Sequence, residues 1–180
     1  MSEARKVGWR GAYLLAAAGV YMADQMSKAW AARRLRFGEQ VTVVERLLYF
    51  DYATNDGIAF GQLQDGGEFS RWMLVTLAAL ATVAVLVYFF RTPRTEDRVL
   101  GAYALLLAGV AGNLTDRVRL GHVIDFVEVH LGSFQWPTFN VADAAICVGA
   151  GLLALDIILE GSQKSGVRSQ KESREPGAAN

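Results

Sequence analysis

The chain has 180 residues, 52% of them hydrophobic, and its 18 basic and 18 acidic side chains cancel to zero net charge. The cancellation hides an uneven distribution: charges crowd the ends and connections and leave long stretches almost bare, a membrane profile without the clustered basic groove a nucleic-acid binder needs. A lone cysteine, Cys147, excludes an internal disulfide, and His122 and His130 have no helix-spaced or cysteine partners, so no metal site is expected.

About 20 apolar residues in a helix span a hydrocarbon core of about 30 Å. Four segments meet or approach that length, at about 11–31, 70–90, 98–116 and 138–159. The expected fold class is an all-α membrane protein with four transmembrane helices and a small extracytoplasmic β element, forming one polytopic domain over 1–160. Trp9, Trp30, Trp72 and Trp136 fall at segment ends, where an amphipathic ring prefers the interface.

The first segment follows a basic stretch and has the general look of a secretory signal peptide. Its helical spacing continues through "DQMSKAWAA", however, so the helix is expected to stay. It carries Asp24 and Lys28 at i,i+4, a spacing that lets them pair on one face. Residues 37–69 form an outer loop in which "VTVVERLLYFDY" (41–52) has β-branched and aromatic content with partial alternation, and "NDG" (55–57) is a turn signal.

Arg91, Arg94 and Arg98 separate the second and third segments. The third ends with Asn113 and Arg117 one turn apart before Gly121, which is expected to break the helix ahead of Asp125. The fourth opens after Pro137 with Asn140 and Asp143, and Cys147 within it is read as a small buried hydrophobe. The tail 161–180 is polar and poor in aromatics, and reads as disordered and cytoplasmic.

Lys and Arg counts in the flanks put both termini and the 91–98 loop in the cytoplasm. Arg33, Arg34 and Arg36 dissent, although six acidic residues between 39 and 68 share their loop. With this topology the polar residues converge near the outer end of the bundle. An acidic side chain at membrane depth costs about 3 kcal/mol or more, so such a convergence marks a site. Asp24 with Lys28 can also be read as an interhelical packing pair. Asp125 with Asp143 is different, because two converging carboxylates repel and raise one pKa. Hydrolysis uses such a pair: the ionised partner takes a proton from water while the protonated one hydrogen-bonds the scissile carbonyl.

In order along the chain, "DQMSK" (24–28), "NDGIAF" (55–60), "AGNLTDR" (111–117), "GHVIDF" (121–126) and "FNVADAA" (139–145) resemble the motifs of lipoprotein signal peptidase, or signal peptidase II. The resemblance implies an intramembrane aspartyl endopeptidase of the bacterial plasma (inner) membrane, with its active site on the extracytoplasmic side. Its substrates would be diacylglyceryl-modified prolipoproteins, cut just before the lipidated cysteine to release the signal peptide. Carried over by motif, Asp125 and Asp143 would be the catalytic dyad. Asn55, Asn113, Arg117 and Asn140 would surround the substrate, with Asp24 and Lys28 supporting from the first helix.

The resemblance further implies no metal or other cofactor, no nucleic acid, a monomer in contact with membrane lipid, and inhibition by globomycin-type cyclic peptides. Two positions depart from the family pattern: Thr115 stands where an apolar residue is usual, and Ala144 where a serine is usual. The residues leave other classes to be tested. A proton-coupled carrier also uses membrane carboxylates, but four spans without inverted repeats suit it poorly. Ser27 and Lys28 are adjacent on a helix and point about 100° apart, which does not favour a serine and lysine dyad. A non-enzymatic scaffold is the third.

Overall fold

Long apolar runs without prolines make the helices, and a computed structural model describes residues 3–36, 38–57 and 67–174. In chain order the elements are α1 (Glu3–Arg34), β1 (Val41–Val44), β2 (Leu48–Asn55), α2 (Gly67–Arg91), α3 (Asp97–Leu120), β3 (Val123–Leu131), β4 (Phe134–Phe139) and α4 (Val141–Arg174). The protein is mostly helical with a small antiparallel sheet. Among the described residues, three stretches are long and apolar enough to cross a membrane: Glu68–Arg91, Asp97–Leu120 and Val141–Leu159. α1 is longer than any of these, but Asp24, Gln25, Ser27 and Lys28 interrupt its apolar run.

α3 is central and packs against α1, α2 and α4. Half of its apolar stretch is buried within the protein, against 6% for α2, whose Leu77, Leu80, Val83 and Val87 face outward. Lipid offers no hydrophobic drive for helices to associate, so close backbone approach through small residues has to supply the packing. Ala17, Ala104 and Ala108 do this between α1 and α3. Gly109 lies under the Ala142 carbonyl and Ile146 of α4, and a β-carbon on Gly112 would come within 2.6 Å of Asp24 Oδ2.

The sheet has the order β1-β2-β3-β4, with every neighbouring pair antiparallel. Its lower layer, Ile124 and Phe126 with Phe50 and Tyr52, packs on Ala31 and Leu35 at the end of α1. The expected β element covers only β1 and β2; the other half of the sheet comes from residues 123–139. Asp125 therefore stands on a strand and not in a loop. Pro137 and Phe139 end β4, so α4 begins at Val141 and not at 138.

Gly121 caps α3 as expected, with φ 88° and its N–H donating to the Arg117 carbonyl at 3.2 Å. Only glycine enters this left-handed conformation without strain. Two further readings are corrected. Backbone helix continues to Arg174 through much of the segment read as a disordered tail, in keeping with a run rich in Gln, Lys, Arg and Glu, all good helix formers. Cys147 is exposed on α4 and not buried, since the helix turns this side away from α3. Trp30 and Trp72 lie near helix ends, whereas Trp136 is on β4; the Trp9 side chain and residues 58–60 of "NDGIAF" lie outside the described residues.

Candidate active site

Asp125 reaches the site from β3, where Ala53 of β2 is its cross-strand partner. Asn55 pairs with Val123 two residues earlier, so it lies diagonally across the same face, and its Nδ2 donates to Asp125 Oδ2 at 3.0 Å. The "NDG" turn fixes this amide: Gly57 N–H donates to Asn55 Oδ1 at 2.9 Å, leaving only the NH2 side to face the carboxylate.

Asp143 comes from the first turn of α4, where Asn140 is the N-cap. Asn140 Oδ1 accepts the Asp143 N–H at 2.9 Å, and Asp143 Oδ2 accepts the Asn140 N–H at 3.3 Å. This is a reciprocal capping box, and it orients the acid locally. Asn140 is fully buried, and its Nδ2 crosses to Asp125 Oδ1 at 2.6 Å. One asparagine thus ties the two aspartates together. The second oxygen of Asp143, Oδ1, accepts from Asn113 Nδ2 at 2.7 Å.

Beneath this layer lies a buried ion triad. Lys28, 2% exposed, has its Nζ 3.0 Å from Asp24 Oδ2, 2.9 Å from Asp116 Oδ2 and 3.0 Å from Asn113 Oδ1. An ammonium has three donors and no acceptor, so all its protons are used and the Asn113 oxygen must face it. The opposite NH2 then faces Asp143. Asp24 Oδ1 accepts the Ala142 N–H at 2.8 Å, so α1 satisfies one of the orphan donors at the start of α4. Gln25 Nε2 lies 3.1 Å from both Asp24 Oδ2 and Asp116 Oδ1, and Asp116 Oδ2 also accepts the Ile124 N–H at 3.3 Å.

Arg117 stands apart from this chain of hydrogen bonds. Its Nε is buried with no hydrogen-bond partner among the described residues, and its guanidinium faces the charges of Asp143, Asp125 and Asp116. Gly57 lies beside it at φ 104°, where a β-carbon would touch Nε and Nη2 at 3.4 Å and run into Leu74 Cδ1. Arg71 holds the backbone below, donating from Nε to the Arg117 carbonyl at 3.0 Å.

All eight residues singled out in the sequence are therefore in or beside one cluster, Asp24 included. Burial pushes the Asp125 carboxyl up to about 6, helped by the charge of Asp143 and opposed by the hydrogen bonds from Asn55 and Asn140 and by Lys28. The sequence reading notes Asp116 beside Asn113 and Arg117, within "AGNLTDR", but assigns no role to it, the second acid of the triad, or to Gln25. The signal for Asp116 was its charge within an apolar helix, three residues after Asn113; nothing local marked Gln25. Of the two family departures, Thr115 lies 3.1 Å from the Tyr21 hydroxyl and links α3 to α1, whereas Ala144 is exposed.

A family model described as signal peptidase (SPase) II matches residues 16–159. A lipoprotein signal peptidase of Pseudomonas fluorescens is 40% identical, with 89% of this chain and 92% of the relative covered. That of Cellvibrio japonicus (strain Ueda107) is 37% identical, covering 86% and 90%. A solved structure described as a bacterial membrane enzyme has a TM-score of 0.78 at 27% identity, covering 86% of this chain and 92% of that one. With a match of this extent and relatives aligned over most of their length, the chain belongs to the signal peptidase (SPase) II family and is a peptidase.

Proposed function

We propose that the protein removes signal peptides from diacylglyceryl-modified bacterial prolipoproteins, cleaving just before the lipidated cysteine with Asp125 and Asp143 as the catalytic dyad. The observation that carries this reading is the buried Asn140 bridge, which holds one oxygen of Asp125 at 2.6 Å while its backbone and side chain cap Asp143. Two carboxylates held this way by neutral donors share a proton more readily than they both ionise. Asp125, pushed up to about 6, suits the protonated role and hydrogen-bonds the scissile carbonyl. The ionised partner takes a proton from the attacking water as its hydroxide adds to the carbonyl carbon. It passes that proton to the amide nitrogen as the C–N bond breaks, so the new amine leaves and Asp125 keeps its own proton as the carboxyl product forms.

Asn55, Asn113 and Asn140 orient the dyad, and Arg117, whose guanidinium faces both aspartates, orients the substrate backbone beside them. Asp24 and Lys28 support Asn113 and the start of α4. Apolar helices around a polar cluster fit a substrate that stays anchored in lipid by its acyl chains and signal helix.

The same reading takes α1 as a fourth transmembrane helix of one polytopic domain. Its charged residues Asp24 and Lys28 are buried among the helices, while Leu15, Met22 and Met26 are exposed, so the surface it offers is apolar despite its composition. Basic flanks then put both termini in the cytoplasm and the dyad at the extracytoplasmic side of the inner membrane. The enzyme works as a monomer and is inhibited by globomycin-type cyclic peptides.

The test is cleavage of a purified diacylglyceryl prolipoprotein by wild type, Asp125→Asn and Asp143→Asn, in detergent with chelator, beside an unlipidated control. Wild type cuts only the lipidated form, and each folded variant loses about a thousandfold or more of the activity, in line with the roughly 10²- to 10⁴-fold contribution of a general acid or base. Near wild-type cleavage by either variant refutes the dyad.

A further inference from the structure

Arg33, one of the arginines that stand against the charge asymmetry of the sequence, shares a feature with Arg119. Arg33 lies in the last turn of α1 and Arg119 in the last turn of α3. A cavity of about 250 Å3 opens between these two helix ends, with both arginines among its lining residues. Both are exposed and form its rim, while the buried Lys28 and Asp116 form its floor. Ala32, Leu120 and Ile124 give it apolar walls.

Neither rim arginine has a hydrogen bond or ion pair among the described residues, whereas Arg71 pairs with Glu68 and Arg98 with Asp156. A helix C-terminus favours a cation, which accounts for one arginine on each helix. It does not account for two guanidiniums, unpaired among the described residues, sharing a cavity with apolar walls.

Charge decides what fits. The floor carboxylate of Asp116 is already engaged, with Oδ1 on Gln25 and Oδ2 on Lys28 and the Ile124 N–H. Counting Asp24, the floor triad is one negative charge in excess, and the two arginines leave the cleft with one net positive charge. That complements a singly charged phosphodiester, which guanidinium binds with paired N–H donors. The apolar walls suit the glycerol and first acyl carbons beyond it.

We propose that the cleft between the ends of α1 and α3 binds the phosphodiester of an anionic glycerophospholipid through Arg33 and Arg119. The lipid sits behind the dyad, separated from it by the triad that holds Asn113. The site gives arginine a reason to stand at a membrane surface where the charge rule does not favour it.

The experiment is native mass spectrometry of the full-length protein in detergent, titrated separately with dioctanoyl phosphatidylglycerol, dioctanoylglycerol and glycerol 1-phosphate. Wild type retains the phosphatidylglycerol, and the double variant Arg33→Gln/Arg119→Gln binds it about tenfold more weakly or worse. A control double variant at other helix ends, Arg91→Gln/Arg94→Gln, binds as wild type does, and the uncharged diacylglycerol does not distinguish any of the three. Equal retention of phosphatidylglycerol by wild type and the Arg33/Arg119 variant overturns the proposal. So does glycerol 1-phosphate binding as tightly as the lipid, which makes the cleft a site for soluble anions.

Discussion

Replacing Lys28 by Met removes the ammonium and keeps most of the side-chain volume. The Oδ2 atoms of Asp24 and Asp116, at 3.0 and 2.9 Å from Nζ, are then left facing each other, almost fully buried and without their cation. Breaking a buried ion pair by removing one partner costs about 3–5 kcal/mol, because the other charge is left uncompensated. For a chain of this size that corresponds to a fall in melting temperature of roughly 6–20 °C. Adding Asp116→Asn removes one of the stranded charges, while Asp24 keeps the Ala142 N–H and Gln25. The double variant is therefore more stable than the sum of the singles by about 1 kcal/mol or more. Its activity does not follow: Asn113 Oδ1 has lost the Lys28 donor at 3.0 Å and keeps only Asn140 Nδ2 at 3.3 Å, so kcat stays about tenfold down with KM little changed. The assays are thermal unfolding in detergent and cleavage kinetics on a lipidated substrate. A Lys28→Met protein that melts within about 2 °C of wild type, a gap worth under about 1 kcal/mol, and cleaves at the wild-type rate refutes the reasoning.

The raised Asp125 carboxyl predicts an alkaline limb in kcat/KM at about pH 6, since the protonated form is lost as pH rises through that value. Asn55→Ala removes a hydrogen bond that pulls this carboxyl down, so the limb moves to higher pH; movement to lower pH contradicts the assignment. The same shift has a stability sign. The folded carboxyl holds its proton more tightly than the unfolded one, so its contribution is present below about pH 4 and lost as pH rises through about 6. Wild type should accordingly lose up to about 3 kcal/mol relative to Asp125→Asn between pH 4 and 7, read from melting curves. Gly109→Ala places a β-carbon against the Ala142 carbonyl and 2.6 Å from Ile146 Cγ1, forcing α3 from α4 and Asn113 from Asp143. A loss of about 1–3 kcal/mol with reduced cleavage is expected. Gly151→Ala, with open space around it, is neutral, and equal effects at the two glycines would count against the close-packing account.

Membrane class, helix positions and the end of α3 at Gly121 were legible in the sequence because each rests on short-range physics. Apolar length makes a helix stable in lipid, and a glycine in the left-handed region stops one. The candidate dyad was legible for another reason: a carboxylate in an apolar chain is costly enough to be conspicuous. Composition was less informative for α1, since a count of polar residues does not know that Asp24 and Lys28 are turned inward.

Only the tertiary structure decided how these residues are used. Half of the sheet comes from β3 and β4, with β3 paired to β2 some 70–80 residues earlier, and the alternating valines at 123, 127 and 129 do not name their partner. Helical spacing gave Lys28 one acid, Asp24, whereas the second, Asp116, approaches from α3. Asp24 caps a helix 118 residues away, and Lys28 turns an amide 85 residues away toward Asp143. Such contacts depend on how closely glycines let three backbones approach. Periodicity and propensity act over a few residues, so they specify the elements and leave to packing which buried donor meets which buried acceptor.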